Sequence, residues 1–177
     1  GGSHILLEAD KRQVAQQRLE NMEESVRQLL RLAEPRIRHG EISNKGGTLT
    51  FMLENPGQVD AARELILPLT SGAAMTGQRD WNIDVRDGST FVLTPTQAGL
   101  DESVSQAMET ATEVVRKRID ALGTREPTII RQGDDRIVVQ VPGLDDPKAL
   151  KYLLGKTAKL EFKLVDGTAL PSDIAAG

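Results

Sequence analysis

The sequence predicts an α+β protein built from two ferredoxin-like βαββαβ repeats, their strands forming a largely antiparallel sheet with helices on one face. Short runs that alternate apolar and polar residues are interleaved with long apolar stripes of helical period, and this order of elements occurs twice. Glycine, proline, asparagine and aspartate stand at the joints, where turns and caps need them. The alternation in most strands implies that helices cover one sheet face while the other meets water or a partner. The simplest arrangement fuses the repeats, residues 1–87 and 88–166, into one nearly continuous sheet.

In the first repeat, the run around Ile5, Leu7 and Ala9 predicts a strand, and Asp10 is placed to cap a helix. Ala15, Leu19, Met22, Val26, Leu29 and Ala33 recur at four- and three-residue steps, one stripe of a long helix that Pro35 terminates. Residues 37–43 and 48–53 predict a hairpin turning at Asn44-Lys45-Gly46-Gly47. Asn55 and Pro56 open a second helix, whose buried stripe is Val59, Ala62, Ile66 and Leu69 and whose last turn Pro68 shortens. A strand follows over 81–86, with Trp81, Ile83 and Val85 on one side.

The second repeat begins after the Asp87-Gly88 turn with a strand at 91–94 and a helix over 101–122. Val104, Ala107, Ala111, Val115, Ile119 and Leu122 form the stripe of that helix. A hairpin, 128–132 and 136–141, turns at Gly133-Asp134-Asp135, with Ile137, Val139 and Val141 facing the core. Asp146 caps a short helix that buries Leu150, Leu153 and Leu154, and Gly155 ends it. A last strand over 159–165 points Leu160, Phe162 and Leu164 inward.

Composition narrows the function classes. Aromatic residues are 3% of the chain and the net charge is −4, so stacking platforms and a basic surface for nucleic acid are both lacking. The absence of cysteine removes disulfides, thiolate metal sites and thiol redox chemistry, and leaves the compartment open. No run of about 18 apolar residues marks a membrane span. The start at Gly1 and the unpatterned GTALPSDIAAG at the end read as a piece of a longer protein.

Candidate chemistry dissolves on spacing. Gly155-Lys156-Thr157 looks like the end of a phosphate loop, but that loop needs a glycine at position 150, which is Leu, and should precede a helix rather than follow one. Asp134-Asp135 and Asp145-Asp146 sit in a turn and a cap and lack the alternating oxygen ligands of a calcium loop. His4 and His39 join no carboxylate cluster or HxxxH pattern, so a zinc site or a catalytic triad is not advertised. Arg116, Lys117 and Arg118 spread around their helix and suit its C-terminal dipole. No catalytic, metal or cofactor-binding residue is assigned, and no enzyme activity is expected.

Three stretches taken together carry a family pattern: GGSHILLEAD at the start, RKRIDALGTREPTIIRQGDDRIVVQVPG in the second repeat, and LLGKTAKLEFKLVD near the end. In that order they resemble the SecD family of bacterial protein-export membrane subunits, strongly over 114–166 and loosely over 36–96. The resemblance implies a part in protein translocation beside SecF and the SecYEG channel, driven by the proton motive force. It implies the periplasmic base of an inner-membrane protein, carrying a preprotein-contacting head that should follow Asp166. Residues 167–177 would then be a linker cut short, and Asp166, Gly167 and Pro171 candidates for one strand of the hinge. The competing reading is a small-ligand regulatory module, because paired ferredoxin-like units also serve as metabolite sensors.

Overall fold

A computed structural model describes residues 3–72, 77–123, 127–143, 146, 148, 151–152 and 162–165. In chain order the elements are β1 (Ser3–Ala9), α1 (Lys11–Leu32), β2 (Leu49–Met52), α2 (Val59–Ile66), β3 (Trp81–Arg86), β4 (Thr90–Pro95), α3 (Gln97–Asp120), β5 (Thr128–Gln132), β6 (Arg136–Val141) and β7 (Phe162–Val165). Among the described residues every strand pairing is antiparallel, in keeping with the α+β class.

The strands form two sheets instead of the single near-continuous one expected, in the orders β5-β6-β1-β7 and β2-β4-β3. Two compact units follow, one of Gly1–Val14 with Ser103–Gly177 and one of Ala15–Glu102. The first strands of the two repeats are exchanged. β1, expected among residues 1–87, pairs with β6 and β7, while β4, expected to open the second repeat, pairs with β2 and β3. In each sheet the exchanged strand lies where a split βαβ unit places its first strand, between partners from the other repeat. Strand periodicity shows which residues share a face but not which neighbour supplies the hydrogen bonds, so this exchange leaves no mark in either repeat alone.

In the Ala15–Glu102 unit, Leu49, Phe51 and Leu53, Phe91 and Leu93, and Trp81, Ile83 and Val85 lie on one face of the sheet. Leu19, Met22, Val26 and Leu30 of α1 and Ala62 and Ile66 of α2 pack in the same core, so both helices cover that face. The rings of Phe51 and Phe91 stack with centroids 5.1 Å apart, an arrangement worth about 0.5–1.5 kcal/mol beyond burial. Leu30 rather than Leu29 completes the buried stripe, because four-residue steps from Val26 follow the helical period more closely here. Asp10 caps α1 as expected, accepting the Gln13 N–H at 3.2 Å. Asn55 accepts the Gly57 N–H at 2.9 Å, opening a short 3₁₀ turn that leads into α2.

Residues 37–43 depart from the expected hairpin. They pair with β2 and its flank only through isolated bridges, His39 with Leu53 and Ser43 with Thr50. Ile37 and Ile42 are both buried in one core although their odd spacing would put them on opposite faces of a regular strand, and Gly40 lies between them.

In the other unit, the triplets Ile5-Leu6-Leu7 of β1 and Ile137-Val138-Val139 of β6 are buried at every position. The one-sided alternation therefore fails in these strands, as it does at Phe91-Val92-Leu93, and each of these strands is flanked by a neighbour on both edges. Val104, Met108, Val115 and Ile119 are the buried apolar side chains of α3, while Leu122 lies beyond the helix and is exposed. The β5 to β6 hairpin has the bounds predicted, turning at Gly133 with φ 60°. α3 starts four residues earlier than expected, because Gly99 in its first turn hides the start in the sequence.

Candidate functional site

Several of the residues singled out by sequence make local contacts where they are described. Asp135 closes the hairpin turn: its carbonyl accepts the Ala9 N–H at 2.7 Å and its carboxylate lies 3.8 Å from Lys11. Asp146 accepts the Lys148 N–H at 2.9 Å, the local turn bond expected of a cap. His39 contacts the Gly40 carbonyl at 2.6 Å through Nδ1 and meets Phe51 edge-on, whereas His4 Nδ1 is buried without a hydrogen-bond partner. Lys117 and Arg118 stand in the last turn of α3. Gly155-Lys156-Thr157, Asp145 and the hinge candidates Asp166, Gly167 and Pro171 lie outside the described residues. Among the described residues no group of three or more His, Asp or Glu could hold a metal ion.

Two arrangements in the Ala15–Glu102 unit were not read from the sequence. In the first, Arg18 of α1 reaches over the Trp81 ring, its guanidinium carbon 5.0 Å from the centroid, and donates to the Asp80 carbonyl at 3.4 Å. Burial lowers the Arg18 pKa, and the Asp80 charge opposes that shift. Thr96 caps α3, accepting the Gly99 N–H at 3.0 Å while its hydroxyl reaches the Arg79 carbonyl at 2.7 Å. Gly99 is required by space: a Cβ there would lie 2.6 Å from Arg18 Nη2 and 2.7 Å from the Asp80 carbonyl oxygen. The cluster is a clasp that fixes the start of α3 against the start of β3.

The second is a cavity of about 290 Å³ between the end of α1 and the segment after it. Arg27 and Arg31 stand one turn apart on α1, and Arg36 and Arg38 lie two residues apart on the extended segment, so each pair shares a side. Buried Ile37 lines the cavity between them, and Glu54 is its one carboxylate. The segment is pinned by the Ile37 N–H on the Leu30 carbonyl at 3.1 Å and by Gln58 on the Arg36 carbonyl at 3.2 Å. Arg27 is already paired, at 2.8 Å to Glu23 and 3.3 Å to Glu24, and the Glu23 hydrogen bond is the main cause of its raised pKa. Arg31, Arg36 and Arg38 have no carboxylate partner among the described residues. The sequence signal was present in the i, i+4 spacing on α1 and the Arg-Ile-Arg alternation after Pro35, but each half alone looks like an ordinary solvated face.

Residues 108–167 match the family model described as protein translocase subunit SecDF, P1 domain, N-terminal. Over 170 residues the chain is 31% identical to the protein translocase subunit SecD of Acetobacter pasteurianus, covering 96% of this chain and 32% of that protein. The SecD of Rhodobacter capsulatus is 36% identical over 175 residues, 95% of this chain and 31% of that protein. The SecD of Rickettsia bellii is 30% identical over 177 residues, 100% of this chain and 32% of that protein. The chain thus spans about a third of the length of these relatives. No described helix is long and apolar enough to cross a membrane.

Proposed function

Because the chain belongs to the SecD family of protein translocase subunits, we propose that it is the periplasmic base from which a preprotein-handling head is carried during export. The observation behind this reading is similarity to SecD along nearly the whole chain, joined to the P1-domain match over 108–167. In this reading the base catalyses nothing. It works within an inner-membrane assembly with SecF and the SecYEG channel, where the proton motive force drives forward movement of the preprotein.

The path of the chain supports a mechanical role. β7 ends at Val165, and it is hydrogen-bonded along β1, which is held on its other side by β6. Asp166 and Gly167 follow immediately in the sequence and Pro171 comes four residues after Gly167, and a head inserted there would leave from a strand anchored in the sheet. Glycine supplies backbone freedom at such a joint and proline limits it, the pairing a hinge of defined range requires.

Site-specific cross-linking in the intact translocase tests this function. Cross-linkers at the exposed base positions Met52 and Ile130 should capture little preprotein compared with positions in the head. Abundant capture from those base positions would overturn passive support. Gly167→Pro should leave folding intact and slow export, and normal export in that variant would remove the hinge assignment. A thermal-shift screen against amino acids and nucleotides separates out the sensor reading, since a specific ligand at a hundredfold excess over Kd adds about 2.7 kcal/mol of stability.

A further inference from the structure

We propose that the arginine-lined cavity of the Ala15–Glu102 unit binds an acidic polypeptide segment in extended conformation. Arg31, Arg36 and Arg38 converge on it without carboxylate partners, in a chain that carries four more acidic than basic residues. Gathering like charges around one concavity costs energy unless an anion answers them, and guanidinium forks match carboxylates in bidentate geometry. Glu54 alone does not balance the set.

The backbone beside the arginines selects a polypeptide over a simple anion. The Gly40 N–H donates to the Met52 carbonyl at 2.9 Å and the Glu54 N–H donates to the Arg38 carbonyl at 3.0 Å. In an antiparallel pair these bonds turn the intervening His39 peptide groups toward the opposite edge, and the His39 N–H has no acceptor among the described residues. The Ile37 N–H on the same edge is held by Leu30, so an extended segment would pair with the His39 groups while its carboxylates meet Arg36 and Arg38, joining a short strand addition to acidic-motif recognition by arginines. Pinning of the segment at Ile37 and Arg36 means that little ordering is left for the moment of binding.

The test measures binding of a fluorescent hexaglutamate peptide to the 177-residue chain by anisotropy, at low and at physiological salt. Binding that weakens with salt, and falls about tenfold or more in Arg36→Gln/Arg38→Gln, is the expected result. Trp81 fluorescence reports that this variant keeps its fold, and Arg86→Gln, on β3, should bind as the parent does. N-methylation at alternate peptide positions should also weaken binding, because it removes the strand pairing. Equal binding of a hexaglutamine peptide would overturn the proposal. So would competition by inorganic phosphate at equal concentration, or arginine-dependent capture of anionic phospholipid vesicles without capture of the peptide. The peptide assay requires no translocation, so it can fail while the base reading survives, and the converse also holds.

Discussion

Replacing Gly99 by alanine should destabilise the protein even though glycine is among the poorest residues for a helix. In the first turn of α3, alanine gains about 0.8–1.0 kcal/mol of helix propensity. Against that, the new Cβ would stand 2.7 Å from the Asp80 carbonyl oxygen and 2.9 Å from its Cα. Restoring an ordinary separation of about 3.5 Å means moving this backbone by roughly 0.8 Å. The Arg18 guanidinium, 2.6 Å away, can swing aside, but Asp80 cannot move freely. Its N–H is held by the Thr70 carbonyl at 2.9 Å, and its own carbonyl accepts from the Thr96 N–H at 2.9 Å.

Overpacking of this kind costs about 1–3 kcal/mol, and disturbing one of those hydrogen bonds adds about 0.5–1.5 kcal/mol. After the propensity gain, a net loss of about 0.5–3.5 kcal/mol remains, a fall in Tm of roughly 1–14 °C for a chain of this size. Trp81, the one tryptophan, sits inside the cluster and reports unfolding by fluorescence. A Gly99→Ala protein as stable as the parent, or more so, would refute the spatial account. The double variant Arg18→Ala/Gly99→Ala should recover only part of the loss, because the obstructing backbone is still there.

Thr96→Ala removes the α3 cap and should cost about 1–2 kcal/mol in urea unfolding, with Thr96→Ser recovering most of it. Phe91→Ala, which empties half of a buried stacked pair, should cost about 3–5 kcal/mol by the same measurement. Arg27→Gln removes only exposed ion pairs to Glu23 and Glu24 and should change stability by less than about 1 kcal/mol. Expressed separately, fragments 1–87 and 88–177 should each lack native circular dichroism and regain it on mixing. Independent folding of either fragment would contradict the strand exchange.

Local structure was legible wherever one residue settles one conformation. Asp10, Asn55 and the turn at Gly133 fall at the joints where the sequence put them, because a cap or a positive φ is satisfied within a few residues. Pairing partners were not legible. The run at Ile5-Leu6-Leu7 announces a strand, yet any antiparallel neighbour of suitable register satisfies it equally. Gly99 misled for the opposite reason: its contacts come from Arg18 and Asp80, distant in sequence, and only those contacts explain a glycine inside a helix. The basic cavity was hidden in the same way, divided between a helix and an irregular segment that become one lining only after the chain turns back at Pro35.

The pairing of β1 with β7 decides how the four-stranded sheet bears tension. The strands run antiparallel, Leu6 opposite Val165 and Ala9 opposite Phe162, so the leading end of one and the trailing end of the other lie at the same side of the sheet. A pull drawing those ends apart loads the ladder one rung at a time, like a zipper, while a pull along the strands is shared by all the rungs together. The direction of an applied force therefore decides whether this sheet serves as a firm mount or as a seam that opens.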